Sequence, residues 1–158
     1  SSRRSGDHLD DKQDQESSEE RGCGQRCFRH FMRLNQQFFR AAVLAAYEYK
    51  CCITGLPLPE LLTASHIVPW AVDHANRLNP QNGLCLNAIH DRAFDRGLLT
   101  ITPDYKVKLT ASIRDLDKNE AVRSLLLQYD GSPMTLPHRF IPDIAFLEYH
   151  NSNIFQET

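Results

Sequence analysis

The 158-residue sequence has no apolar run near the roughly 20 residues that a membrane-spanning helix needs. It also lacks the N-terminal order of basic, apolar and small residues that marks a secretory signal. Membrane and secreted readings are therefore set aside. An even set of cysteines is missing too, so the five thiols cannot all pair within the chain. Cys51 and Cys52 are adjacent and Cys85 sits in an apolar run, which reads as buried thiols in a reducing, cytoplasmic compartment. No internal repeat is present, and that argues against a solenoid. What is there is ordinary: 41% hydrophobic and 24% charged residues, in a length that suits a single globular domain.

Charge is unevenly spread. Residues 1–20 carry seven acids against three bases, a net −4, which leaves the remainder at +2 of the overall −2. An acidic head precedes a mildly basic body, and a basic excess is compatible with phosphate binding. Residues 1–26 are rich in Ser, Asp, Glu, Gln and Gly, with Leu9 their only large aliphatic residue. Such a segment cannot repay the entropy of ordering, so it is expected to be disordered. The domain is expected to comprise residues 27–158.

Within that domain, Phe28, Phe31, Met32, Phe38, Phe39, Val43, Leu44 and Tyr47 recur at helical spacing and predict one or two helices ending near Tyr49. Ala64–Val68 reads as a strand ended by Pro69, and Asn82-Gly83 as a turn into a buried strand over Leu84–Leu86. Asn87 suits an N-cap for a helix from Ala88 to about Arg96, with Gly97 just past its end. A hairpin around Pro103-Asp104-Tyr105 and helical character over Asp117–Tyr129 follow. The fold class is α+β with few strands.

The residues able to do chemistry cluster in this middle part. His66 ends one strand, Asn82 precedes the next, and the following helix carries His90, Asp91 and Asp95. Asp91 and Asp95 are four apart and share a helix face. Paired carboxylates form a hard oxygen site suited to Mg²⁺ or Mn²⁺. A neutral imidazole beside them can take a proton from water. Each residue also has a plainer reading. Asn82-Gly83 serves equally as a turn and Asp91 as a first-turn acid. His90 serves as a structural hydrogen-bonder, Asp95 as a partner for backbone near the helix end, and Arg77 and Arg92 as solvated surface.

The segments Ile53-Thr54-Gly55, Ala64-Ser65-His66-Ile67-Val68-Pro69-Trp70 and Arg77–Leu98 resemble the HNH endonucleases, in particular their restriction-endonuclease-like branch. The resemblance extends upstream to Asn35–Arg40 and downstream to Leu147–His150. It implies a ββα-metal (His-Me finger) core with flanking helices and a hairpin, and a metal-dependent DNA endonuclease using one divalent cation. On that resemblance His66 is the general base and Asn82 holds the base's loop. Asp91 is the metal ligand, Asp95 a second helix ligand, and His90 the third letter of the motif and a further candidate for catalysis or the metal. Arg77 and Arg92 are candidate phosphate contacts.

Two departures stand out. Relatives often carry an acid before the base, where this chain has Ser65. Many relatives hold a structural zinc on two Cys-x-x-Cys pairs, where this chain has Cys51, Thr54, Asn87 and His90, so no structural Zn²⁺ is expected. These departures keep an alternative open, a catalytically inactive HNH-fold nucleic-acid-binding module. DNA is the expected partner. No separate specificity domain is recognisable, so target choice is assigned to a partner, a further N-terminal region or a homodimer.

Overall fold

A computed structural model describes residues 11–158. Helix α1, Asp11–Ala46, comes first. It contains no proline, which would break a helix interior. The stretch 11–26, expected to be disordered, lies in this helix, whereas residues 1–10 fall outside the described residues. The chain divides into two units, Ser1–Gln37 and Phe38–Thr158.

The second unit contains the ββα element. Strand β1, Leu62–His66, pairs antiparallel with β2, Gly83–Asn87, and helix α2, Ala88–Asp95, follows directly. The register places His66 opposite Gly83 and Leu62 opposite Asn87. Strands β3, Leu99–Ile101, and β4, Val107–Leu109, form a second two-stranded antiparallel sheet. Short helices α3, Ala111–Arg114, and α4, Glu120–Leu125, lead to α5, Ile144–Asn153. This is an α+β architecture with the ββα core, flanking helices and hairpin of the HNH fold. No helix among the described residues is long and apolar enough to cross a membrane.

The core sits where these elements meet. Val43, Leu84, Leu86, Phe94, Leu99 and Leu147 are all buried in one cluster. Asn87 caps α2 by accepting from the backbone N–H groups of Ile89 and His90, and Gly97 takes φ +70 just past the helix end. A Cβ on Gly97 would stand 2.1 Å from the Ile154 carbonyl oxygen. The Asn82-Gly83 pair behaves differently from the sequence expectation. Asn82 ends a 3-10 turn over Pro80–Asn82, and Gly83 is extended at φ −131. Gly83 is required by proximity instead: a Cβ there would lie 2.5 Å from Val43 Cγ2 and 2.9 Å from Phe39 Cζ. That close approach lets the end of α1 settle on the β1–β2 ribbon.

Candidate active site

The end of β1 and the outer face of α2 line a cleft of about 440 Å³ that contains Ser65, His66, Trp70, Asp91, Asp95 and His150. His66 is held on three sides. Phe39 stacks on its ring at 3.9 Å between centroids and 10° between planes, and Trp70 meets it edge-on at 5.5 Å. Its Nε2 lies 2.8 Å from the backbone carbonyl oxygen of Arg77. A carbonyl only accepts, so Nε2 carries the proton and Nδ1 keeps its lone pair. Burial lowers the His66 pKa below its ordinary value, and the bond to the Arg77 carbonyl opposes that shift without cancelling it. The ring is thus a neutral base with a fixed tautomer.

The loop after β1 owes its shape to Asn82, which is 1% exposed. Its Oδ1 accepts from Val68 N–H at 2.8 Å, and its Nδ2 donates to Val68 O at 3.1 Å and Asn76 O at 3.4 Å. Its own carbonyl accepts from Ile67 N–H at 3.0 Å. One side chain therefore ties the residues immediately after His66 to the start of β2. Arg77 closes the same loop through Trp70: its Nε donates to Trp70 O at 2.8 Å and its guanidinium lies 5.0 Å from the Trp70 ring centre.

In the same cleft, Ser65 Oγ donates to Asp91 Oδ1. Asp95 lies one turn further along α2 in the same cleft. Desolvation, and then the nearby charge of Asp91, raise the Asp95 carboxyl above its ordinary value, with Arg92 pulling it back. Among the described residues neither Asp91 nor Asp95 has an ion-pair partner. Two neighbouring carboxylates without a cation suit a hard divalent ion. No group of three or more His, Cys, Asp or Glu side chains converges among the described residues. Asp91 and Asp95 are thus the side chains of this cleft that could hold a divalent ion.

His90, expected as a candidate for catalysis or the metal, does not line this cleft. His90 is 1% exposed. Its Nε2–H donates to Leu125 O at 2.8 Å, and its Nδ1 accepts from Asn87 Nδ2 at 3.0 Å. The reason is helical geometry: neighbours differ by about 100°, so a helix that turns Asp91 toward the cleft turns His90 away. The side chain lines a separate, largely apolar cleft with Leu56, Leu61, Leu125 and Tyr129. Arg92 is exposed beside Asp95. Arg77 serves His66 and Trp70 as described.

Sequence reasoning missed the aromatic clasp of Phe39 and the carbonyl of Arg77. It also assigned no role to His150. That ring stacks on Phe94 at 3.7 Å, donates from Nε2 to Phe94 O at 3.1 Å and accepts from Thr100 Oγ1 at Nδ1, 2.8 Å away. It fastens the last turn of α2 to α5 and β3. Its spacing from Phe94, 56 residues, left no local signal.

Comparisons with known proteins agree with this geometry. Residues 51–102 match the family model described as HNH endonuclease. A solved structure of a modification-dependent TagI restriction endonuclease superimposes with a TM-score of 0.52 at 24% identity, over 73% of this chain and 36% of that one. This chain therefore spans about a third of that enzyme's length. No curated protein matches. The matched segment covers both ββα strands, helix α2 and β3, and in this part the chain is similar to the HNH endonucleases.

Proposed function

We propose that this chain is a metal-dependent DNA endonuclease in which His66 is the general base, with residues 27–158 as the nuclease domain. The observation that carries the proposal is the fixed His66 tautomer. The Arg77 carbonyl takes the Nε2 proton, so Nδ1 is the basic atom, in a ring that lines the cleft of Asp91 and Asp95. In the reaction Nδ1 accepts a proton from water as its oxygen attacks the phosphorus atom. Phe39, Trp70 and Asn82 keep the ring from turning during that transfer. The expected products are a 5'-phosphate and a 3'-hydroxyl. A Mg²⁺ or Mn²⁺ held by Asp91 and Asp95 would supply charge stabilisation for the phosphorane and the leaving 3'-oxygen. Arg92, exposed on α2 beside Asp95, and Arg77, in the loop that carries the His66 partner carbonyl, are the proposed phosphate contacts.

The test is nicking of supercoiled plasmid, with and without modified bases, by wild type and His66→Ala in Mg²⁺, Mn²⁺ or EDTA. Nicking by wild type alone, abolished by EDTA, supports the proposal; equal nicking by His66→Ala removes His66 as base. A second reading, an HNH-fold DNA-binding module without cleavage, draws on Ser65 standing where an acid ligand is common. Salt-dependent DNA binding with no nicking in any divalent metal would favour it.

A further inference from the structure

The side chains of Cys51, Thr54, Asn87 and His90 meet on the far side of α2 from the cleft. Asn87 Nδ2 lies 3.0 Å from His90 Nδ1, 3.4 Å from Thr54 Oγ1 and 3.7 Å from Cys51 Sγ. The backbone N–H of Asn87 also donates to Cys51 Sγ, at 3.4 Å. Two independent bonds fix the polarity of the cluster. Asn87 Oδ1 accepts from the N–H groups of Ile89 and His90, so the amide NH₂ must face the other three residues. His90 Nε2 faces the Leu125 carbonyl, so its Nδ1 is a lone pair. A single amide donor therefore sits amid three acceptors: a sulfur, a hydroxyl oxygen and an imidazole nitrogen.

These four positions are the ones at which many HNH relatives carry zinc-binding cysteines. The donor set here does not fit zinc, because one of the four points a positive dipole at the centre and only one thiolate is present. We propose that the Asn87 amide takes the place of a metal ion, making the quartet a hydrogen-bonded clamp that joins the 51–54 turn to the start of α2 without zinc. The clamp also explains the buried, inward setting of His90.

Asn87→Asp separates the clamp from the helix cap. Aspartate caps a helix as well as asparagine does, yet it turns an acceptor oxygen toward three acceptors. The experiment measures zinc content and melting temperature, independent of any cleavage assay. Wild type grown in zinc-supplemented medium should carry well under one equivalent of zinc and melt at the same temperature with or without a zinc-selective chelator. Asn87→Asp should melt about 3–8 °C lower, and added Zn²⁺ should recover much of that loss. Thr54→Cys combined with Asn87→Cys should bind one equivalent of Zn²⁺ or Co²⁺, the latter with an intense thiolate-to-metal band, and melt lower when chelated. Stoichiometric zinc in wild type, or an Asn87→Asp protein as stable as wild type, overturns the proposal. Failure of the double variant to bind metal does so as well.

Discussion

Phe39 lies flat on His66, with ring centroids 3.9 Å apart and planes 10° from parallel. Phe39 is 2% exposed and also bears on Gly83, so one side chain joins the end of α1, the β1–β2 ribbon and the His66 ring. Phe39→Leu keeps the site apolar but removes the flat surface. The expected cost in stability is about 1–2 kcal/mol, as for an imperfect core replacement. Cleavage should fall about tenfold or more beyond what the folded fraction accounts for, because the imidazole gains freedom to turn. Urea unfolding and kcat, measured on the same preparation, separate the two effects.

Burial lowers the His66 pKa, and the bond from Nε2–H to Arg77 O only partly offsets it. In the proposed role as general base, His66 must be neutral. A lowered pKa keeps it neutral to lower pH, so the acid limb of kcat/KM should fall below the 6.5 of an unperturbed imidazole. A profile from pH 5 to 9 at fixed saturating Mg²⁺ measures it. An acid limb above 6.5 would contradict the assignment of the free base to His66.

Ser65 Oγ donates to Asp91, and that bond orients the carboxylate while consuming part of its acceptor capacity. Asp91→Asn should lower cleavage at least a hundredfold. Ser65→Ala should raise the Mg²⁺ concentration needed for half-maximal activity several-fold and leave kcat at saturating Mg²⁺ within about threefold, since it frees the carboxylate's orientation without removing its charge. Magnesium titrations of both variants test this. An unchanged Mg²⁺ requirement in Ser65→Ala would break the proposed link between the hydroxyl and the ion.

Asn82 satisfies both the N–H and the carbonyl of Val68 from a buried position. Asn82→Leu leaves both backbone groups without partners, at about 1–3 kcal/mol for each. The loop that carries the Arg77 carbonyl should loosen, so the variant should lose both melting temperature and cleavage. Asn82→Asp can still accept from Val68 N–H and should be the milder change. If the two variants proved equally stable, the loop would not depend on these bonds.

How far the sequence discloses this site depends on the kind of group involved. Helix α2 was legible at both ends because capping chemistry is local: Asn87 and Gly97 announce it. The pairing of His66 with Asp91 followed from motif order. Asn82-Gly83 read as a turn because that dipeptide favours one, yet tertiary crowding by Phe39 and Val43 is what requires the glycine. The Arg77 carbonyl was illegible in principle, since every residue carries the same group and only the fold selects one. His90 and Asp91 are adjacent letters, and only the helix phase shows that they face different clefts.

His150 offers a test of the junction between α2, α5 and β3. It is 1% exposed, and burial lowers its pKa to about 4, with the bond to the Phe94 carbonyl opposing that fall. The folded protein therefore keeps this imidazole neutral where the unfolded chain, at 6.5, would protonate it. The resulting stability is fully present above pH 6.5 and is lost as pH drops from 6.5 toward about 4. The gap corresponds to at most roughly 3 kcal/mol. His150→Gln preserves a donor and an acceptor for Phe94 O and Thr100 Oγ1 but does not titrate. Wild type should lose more stability than this variant between pH 7 and pH 4.5, measured as the shift of the urea midpoint. Parallel losses in the two proteins would mean that His150 is as readily protonated folded as unfolded, and that the stacked ring is not the element that fastens α2 in acid.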